Sequence, residues 1–302
     1  MGGDSRSPNE RDQNLASPFI RAARVSRSTR SVLGRLRPIS RPFLIWTFRN
    51  PHSAIRIRIR PSMSLHVLPF RTGSAAENMA CDFLLLQRYP EAAAPRFRHY
   101  GWHRPAFTFG YSQKIAFVRA ALPPGGPFDL CRRPTGGGIV DHRDDWTYSL
   151  VIPRGHPLEE LRATQSYREI HESLAAALRS QGVPARTKPV ATEPEISAKS
   201  GLPAGVCFER AEFHDVVHET TGAKIAGAAQ KRNKHGLLFQ GSIWRPAAGG
   251  DLDWERFHDD FVVQLTRALD TPAEAVPWPE LPEAELEGLT EQYATPEWLE
   301  HR

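Results

Sequence analysis

Two short stretches of the chain hold residue types that could do chemistry together. In Arg132-Arg-Pro-Thr-Gly-Gly-Gly-Ile-Val-Asp-His142, three consecutive glycines (Gly136, Gly137 and Gly138) strip every Cβ from a run of backbone. A ligand can then come directly against the N–H groups. Arg132 and Arg133 just before them offer charge-assisted donors to a carboxylate, a phosphate or a thioester-linked phosphopantetheine. A bare Gly-Gly-Gly is also what a plain turn uses. The run is not a Walker A loop, which ends in Gly-Lys-Ser/Thr, nor a Gly-x-Gly-x-x-Gly dinucleotide loop. In Gly222-Ala-Lys-Ile-Ala-Gly-Ala-Ala-Gln230, Lys224 stands in a strand-like run of glycine and small apolar residues, with Gly227 beside it. Such an ammonium can steady charge developing on an acyl oxygen, although an ordinary lysine is a solvated surface charge.

The three cysteines, Cys81, Cys131 and Cys207, are too widely spaced for a disulfide framework or a CxxC zinc pattern. That usage fits a reducing cytosol and a cytoplasmic protein, in which a special cysteine is a nucleophile rather than a staple. Cys81 falls in an expected helix and Cys131 at the end of an expected strand, where a thiol behaves as a small buried hydrophobe. Cys207 follows a Pro/Gly/Ser/Lys-rich loop at 190–206, with Lys199, Arg210 and Lys224 as cations able to favour its thiolate. His142 lies in the glycine motif; His214 and His218 read as surface residues, and no metal-ligand spacing links the three, so no metal is expected.

Stepping along the chain, the elements that must position these groups follow from periodicity. A strand at 65–70 precedes Ser74-Ala-Ala-Glu77, a capping box in which Ser74 accepts from the third helical amide and Glu77 reaches back. Ala76, Met79, Ala80, Phe83, Leu84 and Leu86 continue at helical spacing until Pro90. Strands are expected at 97–100, 106–110, 128–131 and, most clearly, 146–152. A helix is expected over 158–179, with Ile170, Leu174 and Leu178 on one face. Strands at 213–217, 224–229 and 236–243 and a helix at 254–269 complete the set. Helices flanking a mixed sheet without βαβ alternation predict an α/β (α+β) architecture.

Charge divides the chain. Residues 1–62 hold 13 Arg, no Lys and three acidic residues, a net +10, which leaves −5 for the other 240 of the formal +5 total. The basic character belongs to the leader, so a nucleic-acid reading of the whole protein loses its support. The leader reads as translated upstream sequence ahead of Met63, as a transit peptide, or as a basic arm; within it only Ile55-Arg-Ile-Arg-Ile-Arg60 alternates like an edge strand. No apolar run reaches the ~18–20 residues that span a bilayer, so no membrane association is expected. The expected organisation is a leader at 1–62, a catalytic domain at 63–272 and a proline-rich tail at 273–302 with one helix near 284–293.

Taken in order, Arg98-His-Tyr-Gly-Trp102, Phe107-Thr-Phe-Gly-Tyr111, the Arg-Arg-x-Thr-Gly-Gly-Gly-x-Val-x-His run, Thr147-Tyr-Ser149, Gly-x-Lys-Ile-Ala-Gly-x-Ala-Gln and Gln240-Gly-Ser-Ile243 resemble the biotin/lipoate protein ligase catalytic family. The resemblance covers about residues 65–250. It implies a class II aminoacyl-tRNA synthetase/biotin synthetase-like catalytic domain. Its glycine loop and arginine line the acyl pocket and its lysine, at Lys224, contacts the reacting acyl group. On the motif this carries substrate binding to Arg132, Arg133, Thr135, Gly136, Gly137, Gly138, His142 and Gly227. The biotin branch is disfavoured because its Gly-Arg-Gly-Arg-x-Gly loop is absent.

Val206-Cys-Phe-Glu209, 17 residues before Lys224, is similar to the ligase-like octanoyltransferases, whose cysteine in a Cys-Phe pair is the nucleophile. That implies catalytic roles for Cys207 and Lys224: an octanoyl group passes from acyl-carrier protein through a cysteine thioester to a lysine of a lipoyl domain or glycine cleavage H protein, without a cofactor. The alternatives are an ATP- and Mg²⁺-dependent lipoate ligase, in which Lys224 and Arg133 hold an acyl-adenylate, and a non-catalytic carrier-binding homologue. Two departures from the family stand out. Phe239-Gln-Gly-Ser242 replaces the usual Gln-His-Gly-Ser, and Trp146 stands where a small residue and Leu are usual, which is expected to narrow the pocket.

Overall fold

The computed structural model describes residues 63–190 and 211–301. The leader at 1–62, nearly all of the 190–206 loop and Cys207 lie outside the described residues. In chain order the elements are β1 (Leu65–Val67), β2 (Arg71–Gly73), α1 (Ala75–Gln87), β3 (Arg96–Trp102), β4 (Ala106–Phe109), α2 (Ile115–Ala121) and β5 (Asp129–Arg132). Then come β6 (Ile139–Asp141), β7 (Asp145–Pro153), α3 (Pro157–Glu160), α4 (Ala163–Ser180), β8 (Ala185–Thr187), β9 (Val216–His218) and β10 (Lys224–Asn233). The last are β11 (Gly236–Trp244), α5 (Arg245–Ala248), α6 (Trp254–Leu269), β12 (Ala273–Ala275), α7 (Glu283–Ala294) and α8 (Pro296–Glu300).

Among the described residues the strands form a large mixed sheet in the order β12-β1-β3-β7-β11-β10-β9-β8, with β2 paired to β3, and a small sheet β5-β4-β6. The β1 pairings are parallel; the run from β3 to β8 is antiparallel. The central strand β7 is buried along its whole length. Its period-2 geometry sends Trp146, Tyr148, Leu150 and Ile152 into one core, with Leu237, Phe239 and Ile243 of β11. The amphipathic helices α4 (Ile170, Leu174, Leu178) and α6 (Phe257, Phe261, Leu265) cover that face. The opposite face, carrying Thr147 and Ser149, looks toward α1 and the small sheet. The Ser74–Glu77 box starts α1 as predicted: Ser74 Oγ accepts from the Glu77 amide at 3.2 Å, and the Glu77 carboxylate accepts the Ser74 amide at 3.3 Å.

Four expectations are corrected. The helix expected over 158–179 is two helices, because Leu161 and Arg162 are extended and the Arg232 guanidinium takes the carbonyls of Glu159 and, at 2.9 Å, Leu161. The strand expected at 213–217 starts only at Val216, since His214 turns the chain with φ +69°. Trp146 does not narrow a pocket: it lies in the core beneath α6, edge-on to Phe257 at 5.1 Å. The segment at 273–302 carries the helix expected near 284–293, as α7, but it is packed structure and not a tail. β12 extends the large sheet, Tyr293 of α7 is buried against α1, and Trp298 of α8 donates its indole N–H to the Arg132 carbonyl at 2.9 Å.

Candidate active site

Two rows of side chains cross the open face of the large sheet. Tyr100, Thr147, Ser242 and Gly227 are successive cross-strand partners, as are Arg98, Ser149, Gln240 and Ala229. Between these rows and the glycine loop lies a cavity that opens to solvent. Met79, Val140, Ala228 and Ala229 give it an apolar wall; Thr108, Arg133, His142, Lys224 and Gln240 bring the polar groups.

The loop between β5 and β6 is tied down by its carbonyls. Arg133 donates to Gly136 O and Gly138 O, each at 2.9 Å, Gln113 Nε2 donates to Gly137 O at 3.2 Å, and the Gly110 amide also reaches Gly138 O at 3.2 Å. Within the described residues, the amides of Gly136, Gly137 and Gly138 donate to none of these partners or any other. Such a strip of N–H groups is a ready set of donors to negative charge. Gly137 has φ +89°, a conformation that favours glycine. Gly110 is required for a different reason: a Cβ there would lie 2.0 Å from the Gly137 carbonyl oxygen.

Lys224 is seated by a bulge. Pairing of β10 with β9 shifts register between Lys224 and Ala226, so Ile225 and Ala226 both enter the core and Lys224 turns to the same face as Gly227. Its ammonium is 2.7 Å from Asp215 Oδ2, buried on both sides. Asp215 also accepts the Glu212 amide at 2.7 Å and the Tyr167 hydroxyl at 2.5 Å, and Tyr167 in turn accepts the Ala228 amide at 3.0 Å. Burial, and then the Asp215 carboxylate, raise the Tyr167 phenol well above its ordinary value, so it stays a donor.

Beneath the pocket, α1 inserts a buried carboxylate. Asp82 pairs with Arg98 at 2.7 Å and accepts from Ser149 at 2.6 Å and from Gln240 Nε2 at 2.7 Å. Gln240 Oε1 accepts from Thr135 at 2.7 Å, so the residue replacing the usual histidine braces the glycine loop against this ion pair. On the small-sheet side, His142 lies between Thr108 and Asp145, 2.7 Å from each, and Trp102 packs on its ring at 4.2 Å. Thr147 (2.8 Å) and Ser242 also donate to Asp145 Oδ2, while Oδ1 has no hydrogen-bond partner.

The structure therefore brings Arg133, Gly137, His142, Lys224 and Gly227 to one cavity. Thr135 braces the loop from behind, and Gly136 and Gly138 contribute backbone. Arg132 goes elsewhere: its guanidinium donates to the carbonyls of Tyr111 (2.6 Å), Gln113 (2.8 Å), Trp298 (3.0 Å) and Leu299 (2.5 Å). Cys81 and Cys131 are buried as expected, and burial raises both thiols, Cys131 to about 12. Sequence reasoning passed over Thr108, although it stands in the Phe107-Thr-Phe-Gly-Tyr111 run, and missed Asp82, Asp145 and Asp215, which no spacing motif marks. Among the described residues no group of His, Cys, Asp and Glu is arranged to hold a metal ion, and no helix is long and apolar enough to cross a membrane.

A family model described as the lipoyl protein ligase A/B catalytic domain matches residues 74–248, which contain every element of this pocket. The chain belongs to that family. It is similar to the octanoyltransferase LipM of Halalkalibacterium halodurans, 34% identical over 188 residues (62% of this chain and 66% of that protein). It is likewise 34% identical over 196 residues to the octanoyltransferase LipM of Bacillus subtilis, covering 64% of this chain and 68% of that one. Across the first relatives the aligned chain spans somewhat less than two thirds of their length, 66%, 61% and 60%. The fold is that of a lipoate-protein ligase A solved with ATP (TM-score 0.57, 18% identity, covering 79% of this chain and 99% of that one). It is also that of the bipartite lipoate protein ligase of Thermoplasma acidophilum (TM-score 0.56, 19% identity, covering 79% and 97%). The mixed sheet flanked by helices agrees with the architecture read from the sequence.

Proposed function

We propose that the protein is an octanoyltransferase of protein lipoylation, with acyl-carrier protein as donor and a lipoyl-domain or glycine cleavage H protein lysine as acceptor. The observation that carries the reading is the pairing, around one largely apolar cavity, of a seated ammonium at Lys224 with a glycine loop whose carbonyls are all engaged and whose amides are not. Relatives named octanoyltransferase support the same class. In the first step the Cys207 thiolate attacks the donor thioester carbonyl. A carbon–sulfur bond forms to the enzyme, the bond to the carrier sulfur breaks, and the carrier leaves as its thiol. The oxyanion formed on the way is steadied by Lys224 and the loop amides. In the second step the acceptor amine attacks the enzyme thioester carbonyl, the carbon–nitrogen bond of the amide forms as the carbon–sulfur bond to Cys207 breaks, and the proton lost by the amine returns to the Cys207 sulfur. Both steps exchange acyl bonds and use no cofactor. Cys207 is assigned from the Cys-Phe pair eight residues before Asp215 in sequence.

Incubation with octanoyl-carrier protein is expected to yield a hydroxylamine-sensitive adduct of octanoyl mass, absent from Cys207→Ala, and then an octanoylated lipoyl domain. Normal loading by Cys207→Ala, or modification that requires free octanoate with ATP and releases pyrophosphate, would overturn the reading.

A further inference from the structure

We propose that Thr108 and His142 are positioning residues that hold the glycine loop through a hydrogen-bond relay of fixed direction, anchored by Asp145 at one end and Arg133 at the other. The kinetic part of this inference rests on the acyl-transfer reading of the pocket; the relay itself does not. Its links are Arg133 Nη1 to Thr108 Oγ1 at 2.8 Å, Thr108 Oγ1 to His142 Nε2 at 2.7 Å, and His142 Nδ1 to Asp145 Oδ2 at 2.7 Å. All four side chains are buried.

The direction follows from donor and acceptor inventories. A guanidinium can only donate, so Thr108 Oγ1 accepts from Arg133; His142 Nε2 is the one acceptor hydrogen-bonded to this buried hydroxyl among the described residues, so it takes the hydroxyl's proton. The ring must therefore accept at Nε2 and carry its proton on Nδ1, where the Asp145 carboxylate accepts it. Asp145 Oδ2 takes the hydroxyls of Thr147 and Ser242 as well, which only an acceptor can do. Trp102 against the ring holds its plane. At the far end the other Arg133 nitrogen, Nη2, grips Gly136 O and Gly138 O, so the loop carbonyls are turned to the guanidinium and the amides are left for an acyl oxygen. Thr108 is the only member of the relay without charge or ring, and removing its hydroxyl breaks both central links at once.

The test uses the full chain. Ring-nitrogen NMR of the wild type near neutral pH is expected to show His142 as the Nδ1–H tautomer with an unprotonated Nε2. An Nε2–H tautomer or a doubly protonated ring overturns the relay, whether or not the protein transfers acyl groups. In octanoyl transfer, Thr108→Val is expected to lower kcat by about tenfold or more with KM changed by less than about threefold, because the loop amides it helps to position act on the transition state. Thr108→Ser, which keeps the hydroxyl, is expected to return kcat to within about threefold of wild type. An unchanged kcat in Thr108→Val, or an equal loss in Thr108→Ser, overturns positioning. If Thr108→Val does not fold, kcat of Thr108→Ser and the wild-type tautomer decide the matter. If the wild type transfers nothing, the functional reading fails and the tautomer alone decides the relay.

Discussion

Gly227→Ala probes the seat of Lys224 most directly. A Cβ at this position would stand 2.9 Å from both Cε and Nζ of Lys224 and 3.2 Å from Asp215 Oδ1, against the 3.4 Å at which ordinary contact begins. The ammonium would have to retreat by roughly half an ångström or more, away from a carboxylate it now meets at 2.7 Å. Because the displaced atoms are the end of a flexible side chain and the backbone is regular strand, the fold should lose no more than about 1 kcal/mol, a change in Tm of about 2–4 °C at this size. Transition-state stabilisation is far less forgiving. A misplacement approaching 1 Å can cost about 10²-fold, similar to removal of one oxyanion donor. Octanoyl transfer to a lipoyl domain, followed by intact mass, should therefore fall about 30- to 100-fold while the melting curve barely moves. Activity within a few-fold of wild type would show that the Lys224 seat has no part in the chemistry. A melting temperature lower by more than 10 °C would show that the strand cannot yield as argued.

Three further outcomes are expected. Gly110→Ala drives a methyl group into backbone, 2.0 Å from Gly137 O and 2.7 Å from Gly136 C, and should destabilise by about 2–3 kcal/mol, read as a lowered urea midpoint; an unchanged midpoint would contradict the packing of the loop on β4. His171 is buried and held to about 4, chiefly by burial and against the pull of Asp215, so its folded value lies below the ordinary 6.5. The unfolded chain therefore takes up this proton first, and stability falls as pH drops from about 6.5 to about 4, by about 3 kcal/mol from this residue; His171→Asn should flatten that part of the urea-midpoint profile. Tyr293→Ala, removing a buried ring stacked on Trp298 at 4.7 Å, should cost about 3 kcal/mol in a urea melt, and a silent variant would mean that the last thirty residues are not part of the folded unit.

What could be read from the sequence was what depends on near neighbours. The Ser74–Glu77 box closes within one turn, and α6 runs from Trp254 to Leu269 as expected. The alternation of β7 declared a buried strand, and the glycine loop and Lys224 declared themselves by type and company. Tertiary structure alone decided which way these groups face. A strict strand alternation would put Lys224 and Gly227 on opposite faces; one bulge against β9 puts them on the same one. Arg132 and Arg133 are adjacent and alike in chemistry, yet period-2 geometry gives one to the C-terminal carbonyls and the other to the loop. Asp82, Asp145 and Asp215 look like surface charges in sequence, because a carboxylate can be buried only where its donors converge, and those donors come from residues up to 158 positions away. Residue type set the chemistry available here, and long-range pairing, which no local pattern encodes, chose which of it meets in one cavity.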